Sequence, residues 1–129
     1  MDHCPKIIVR FISPENQRYP TCGDWLYDAE SHTLEIRVSK MDDWRSELAV
    51  AIHEAVEAVF CTAVDITEAE VTEFDMQFNR GDHPDDMEPG DDIKAPYRVQ
   101  HIAATFVEKE VCDRLGLPWA QHEINVLEA

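Results

Sequence analysis

The stretch Leu48–Phe60 (LAVAIHEAVEAVF) constrains this chain most, because ten of its thirteen residues are apolar and the exceptions are His53, Glu54 and Glu57. A segment this apolar folds as a largely buried helix. Buried ionisable groups are costly unless they are paired or bind a metal. Residues four apart in a helix lie one turn apart on the same face. His53 and Glu57 therefore converge on one point, and two arrangements satisfy them. One is a metal site; the other is a set of polar groups pairing with each other inside the core.

The sequence around this helix predicts an α+β fold: an N-terminal three-stranded antiparallel β-sheet followed by about three α-helices, all in a single domain over residues 1–129. Lys6–Ser13 has the β-branched enrichment of a strand. Asp24–Asp28 and Thr33–Lys40 flank Ala29-Glu-Ser-His32 as a hairpin, and Leu34, Ile36 and Val38 alternate with polar residues. Residues 14–23 carry Pro14, Pro20 and Gly23 and read as a loop. Asp42 or Asp43 can cap the His53 helix, which runs to about Thr62. Thr67 and Glu70 have capping-box spacing and open a second helix with Val71, Phe74 and Phe78 on one face, closed by Gly81. Residues 82–92 hold six acids, two prolines and a glycine, the composition of a solvated loop or a lid. Pro96 suits the first turn of a third helix ending near Leu115, with a short helical tail from Trp119.

The formal charge is −16, which disfavours direct binding of nucleic acid and fits a basic protein partner or a mimic of DNA. No apolar run reaches the length of a membrane span, and the N-terminus lacks a basic-then-apolar signal pattern. The expected location is the cytoplasm. Cys4, Cys22, Cys61 and Cys112 are widely spaced without a Cys-x-x-Cys pair, so they read as reduced thiols rather than zinc ligands. The acidic loop lacks the spacing of an EF-hand calcium site. His3, His32, His83 and His122 lie in loops or near the termini, where solvated side chains are expected.

The third helix places His101, Thr105, Glu108 and Cys112 in one continuous stripe. If it packs antiparallel to the first helix, His101 joins His53 and Glu57 as a third ligand. Two imidazoles and a carboxylate suit Zn²⁺ with one position open, and also Fe²⁺ or Mn²⁺. Glu54 then has the position of a general base acting on metal-activated water. Glu108 and Asp75 are candidates to orient a ligand histidine through its other ring nitrogen. Without a metal, His101 hydrogen-bonds Glu57 in the core and Glu54 points to solvent.

His53-Glu54-x-x-Glu57 lies one residue from His-Glu-x-x-His, the helix motif of zinc peptidases. Strand, hairpin, His-Glu helix and a later ligand-bearing helix together resemble a minimal zincin, over roughly residues 24–118. The resemblance is to ImmA/IrrE-type peptidases of phages and bacteria. His53 and Glu54 match the first two motif positions. Glu57 stands where the second histidine would be, and His101 supplies an imidazole from the later helix. The stretch from Ala95 to Trp119 also resembles small phage and prophage proteins that carry a His-Glu-x-x-Glu helix. The resemblance implies a metal-dependent hydrolase acting on a protein or peptide. A non-catalytic acidic interaction protein is the alternative.

Overall fold

A computed structural model describes residues 3–129 of the chain. Three strands, β1 (Lys6–Ile12), β2 (Gly23–Asp28) and β3 (Thr33–Ser39), precede four helices: α1 (Trp44–Ala63), α2 (Glu68–Arg80), α3 (Arg98–Arg114) and α4 (Trp119–Leu127). The α+β order read from the sequence is therefore present, and the tail after Trp119 is a full helix.

The sheet departs from the antiparallel expectation. Its order is β1-β3-β2. β2 and β3 form the expected antiparallel hairpin, with Trp25 opposite Ile36, while β1 runs parallel to β3 with Val9 beside Ile36. The cause lies in residues 13–22. They are too long for a tight turn, so they carry the chain across the end of β3 instead of folding β1 back on β2. The Gln17 amide donates to the Arg37 carbonyl and to Ser39 Oγ, tying that crossing down.

The alternation in β3 buries Leu34, Ile36 and Val38 against α1, where they join Trp25, Val50, Ala51, Ala58 and Cys61. Each fully buried aliphatic side chain contributes about 1.5–3 kcal/mol. β1 stays at the sheet edge with Ile7, Val9 and Phe11 half exposed.

Both expected N-caps form. The Asp43 side chain accepts from the Arg45 N–H and Thr67 accepts from the Glu70 N–H, which uses helix-end donors that lack intrahelical partners. α3 starts two residues after Pro96. Tyr97 is not helical (φ −110°, ψ 20°) and its hydroxyl is held by Asp75 instead. Past the end of α3, Gly116 takes the left-handed conformation (φ 70°) that turns the chain toward α4. α1 and α3 pack antiparallel: Glu57 meets His101, and one helical stretch earlier His53 meets Glu108. No helix among the described residues is long and apolar enough to cross a membrane.

Candidate metal centre

The antiparallel pairing of α1 and α3 brings His53, Glu57, His101 and Glu108 together, as their spacing predicts, and all four are buried. Glu57 is the hub. Its Oε2 accepts from His53 Nε2 at 3.2 Å and from His101 Nδ1 at 3.0 Å, and its Oε1 accepts from Trp25 Nε1 at 3.2 Å. The two imidazole rings lie edge to face with centroids 4.8 Å apart.

The other nitrogen of His101 faces the acidic loop, 3.2 Å from Asp91 Oδ1 and 3.5 Å from Glu88 Oε2. Glu88-Pro-Gly-Asp91 opens a short 3-10 turn directly above that ring. A Cβ on Gly90 would fall within the His101 ring, so only glycine lets the backbone pass there. Glu88 sits at the rim with its side chain half exposed (51%). One donor atom each of His53, Glu88 and His101 lie within 4.8 Å of one another. This convergence adds to Glu57 a residue of the loop that composition marks as merely solvated. The only sequence signal for Glu88 is the Pro-Gly that follows it.

The remaining candidates are placed as follows. Glu54 lines both cavities beside the site, with its carboxylate against Gly23, where a Cβ would lie 2.6 Å from Oε1. Asp75 faces the smaller cavity but orients no histidine. It accepts from Tyr19 Oη at 2.8 Å and from the Tyr97 hydroxyl. Glu108 does approach a ligand candidate: its Oε1 lies 2.7 Å from His53 Nδ1. That contact is short but bent, and Nδ1 has no aligned hydrogen-bond partner. The second oxygen of Glu108 is 2.5 Å from His122 Nε2. His122 is thus not solvated near the terminus as expected but 1% exposed, the most buried histidine of the chain. Its place near the end of the chain hid this, because α4 is short and its partners are far away in sequence. His3 is exposed, and His32 and His83 are partly covered. All four cysteines are free thiols, and Cys61 and Cys112 are buried.

Charge is distributed unevenly over the cluster. Burial alone would raise the Glu57 carboxyl, but hydrogen bonds from His101 and His53 outweigh it and hold the group at about 2. Glu108 is likewise held at about 2 against burial by His122 and His53. Burial would lower His101, yet its bonds to Asp91 and Glu57 lift it to about 10. His53 is raised in the same way, by Glu108 and Glu57 against burial. Glu54 is different: burial and the neighbouring Glu57 charge push its carboxyl well above the usual range. Burial also lifts Asp75 to about 7, partly offset by the two tyrosine hydroxyls.

Two cavities meet at this cluster. A small one, about 50 Å³, is walled by Glu54, Glu57, Asp75, Glu88 and the two histidines. A wide cleft of about 870 Å³ runs from it between residues 14–23 and the 83–89 segment, with Val50, His53 and Glu54 on its floor. Donors around a tetrahedral zinc lie roughly 3.3 Å apart for bonds of ~2.0–2.1 Å. The separations of 3.2 Å from His53 Nε2 and 3.0 Å from His101 Nδ1 to Glu57 Oε2 are of that size. Two imidazoles held close together beside the small cavity are a further feature a shared cation would satisfy. The donor set therefore fits a divalent metal. The chain matches no protein-family model, and no curated protein or solved structure matches it.

Proposed function

We propose that this protein binds one divalent metal ion, zinc in the first instance, and uses it to hydrolyse a peptide or amide bond in a minimal zincin-like arrangement. The observation that carries this reading is the meeting of two buried imidazoles with Glu57 and Glu88 at the head of an open cleft. His53 and His101 would supply the nitrogens. Glu57 would supply a carboxylate on the Nδ1 side of His101 and Glu88 one on its Nε2 side; one ring nitrogen takes the ion, and the carboxylate on the other orients the ring. When bound, the ion supplies Lewis-acid polarisation of a carbonyl or of water.

The chain's own groups do the rest. Glu54 stands beside the site without being part of the donor set, and burial and the Glu57 charge make its carboxyl hold a proton more tightly than an ordinary glutamate, as a group that takes up a proton must. Glu57 stays ionised and holds both rings. The cleft is wide enough for an extended peptide. Its rim carries Glu15, Asp85 and Glu88, while its arginine, Arg18, is already paired with Asp24 and Glu68. A basic peptide suits such walls.

Elemental analysis after dialysis against zinc tests the reading. The expected result is about one zinc per chain, lost in His101→Ala and Glu57→Gln. No zinc uptake by the unaltered protein overturns it. Glu54→Gln keeps the metal, and hydrolysis of a responsive peptide falls by roughly 10²–10⁴-fold, the contribution of a general base. Loss of metal in Glu54→Gln would make Glu54 a ligand instead.

A further inference from the structure

We propose that the C-terminal helix α4 belongs to the metal centre, with His122 as the positioning residue that fixes Glu108 and, through it, the ring of His53. This rests on the metal-binding reading above. Four polar side chains from three helices form a closed circuit. From α1, Ser46 Oγ lies 2.9 Å from His122 Nδ1 on α4. His122 Nε2 lies 2.5 Å from Glu108 Oε2 on α3. Glu108 Oε1 lies 2.7 Å from His53 Nδ1, back on α1. Ser46 and His53 are seven residues apart, two turns of one helix, and so lie on the same face.

One donor order satisfies every atom along the inner part of this circuit. His122 Nε2 faces a carboxylate and must donate. Its Nδ1 then accepts from the Ser46 hydroxyl, whose oxygen accepts from Asn125 Nδ2 at 2.9 Å. His122 is therefore held from both sides, and Asn125 on the same helix adds a second anchor on Ser46. Ser46 and His122 are each 1% exposed or less, so water cannot substitute for either partner.

The consequence falls on Glu108. A glutamate side chain has three rotatable bonds, and a single bent contact to His53 would not fix it. The His122 bond fixes one carboxylate oxygen and so sets where the other stands relative to His53 Nδ1. In histidine-ligated sites the group on the far ring nitrogen fixes ring orientation and ligand basicity, and its loss costs 10–100-fold in metal affinity. α4 supplies the far anchor of that group here. Its remaining attachment is apolar: Val126 packs on the main core, and Trp119, partly buried with Lys109 above its ring, packs on the cluster of Ala49, Cys112 and Leu117.

The test is zinc affinity, by competition with a chromophoric chelator, in the unaltered protein, in two His122 variants and in Glu108→Gln with and without His122→Phe. His122→Phe fills the space of the ring without its nitrogens and should weaken zinc about 10-fold, at the low end of that range. His122→Gln can still donate to Glu108 and should stay close to the unaltered protein. In a Glu108→Gln background, His122→Phe should add nothing further, because both changes break one chain of contacts. A purely structural role predicts equal losses of melting temperature in His122→Phe and His122→Gln with unchanged zinc affinity, and that result overturns the proposal. If His122→Phe does not fold, Ser46→Ala decides: a weaker zinc affinity is expected, and an unchanged one overturns the proposal. A protein that takes up no zinc at all removes the metal reading itself, whereas zinc uptake indifferent to residue 122 removes only this inference.

Discussion

Glu108 has a histidine on either side, and the two sides differ. Toward α4, both nitrogens of His122 have partners at hydrogen-bond distance, and His122 lines neither of the two cavities described above. Toward the cleft, His53 is nearly as buried, but its ring lines both cavities, and its nitrogen without an aligned partner is the one turned to Glu108. Burial alone therefore does not distinguish the two histidines. Access to open space does. A closed polar cluster spends its hydrogen-bonding capacity on folding, whereas an open one keeps some for a ligand.

The largest test of this contrast is acid. Glu57 and Glu108 are both held at about 2, below the ordinary value of 4.5. A depressed carboxyl stabilises the fold above its unfolded pKa and loses that contribution as pH falls through its folded one. Stability measured by urea unfolding should hold to about pH 4.5 and drop steeply from there to about 2. Glu108→Gln should flatten a large part of that drop. A drop of equal size in Glu108→Gln would mean that the closed side is not ionic. Next in size is the metal. Zinc at 100–1,000 times its Kd should stabilise the protein by roughly 3–4 kcal/mol, and a chelator should reverse this. His101→Ala should abolish the effect and His122→Phe only reduce it. Equal responses from the open and closed sides would break the comparison. Gly90→Ala follows. Its Cβ would enter the His101 ring, so ring or loop must move, at about 1–3 kcal/mol for overpacking. Zinc affinity should fall with it, and an unaffected affinity would show that the loop is not part of the site.

How much of this was legible depended on the range of the signal. The four-residue spacing in α1 and the stripe on α3 are local periodicities, and they placed His53, Glu57, His101 and Glu108 in one cluster. The caps at Asp43 and Thr67 are likewise local. β1 is different: its own residues mark it as a strand, but its parallel partner is set by the crossing of residues 13–22 over β3. Glu88 sits in a loop of near-identical acids, and only the turn at Pro89-Gly90 singles it out. His122 is separated from Ser46 by 76 residues, and a nine-residue helix with one histidine carries no sign of what it faces. Asp75 was correctly placed near the site and wrongly paired, because hydroxyl donors from Tyr19 and Tyr97 leave no mark in periodicity.

The smallest expected effect is the most selective. Ser46→Ala deletes one fully buried hydroxyl from the closed side and touches nothing in the cleft. Asn125 is only partly buried and can turn its amide to water, so its loss costs little. His122 Nδ1 has no such exit. The space left by one hydroxyl is too small and too poorly lined to hold a water with the two or more polar partners it needs. A single neutral hydrogen bond contributes about 1 kcal/mol net, and leaving one buried neutral acceptor unpaired puts the loss at the lower end of ~1–3 kcal/mol. Urea unfolding of Ser46→Ala should therefore show a loss near 1 kcal/mol, well below the zinc effect. A loss of nearly zero would mean that water reaches His122 and that the closed side is open after all. The two halves of Glu108's environment would then differ in degree rather than in kind.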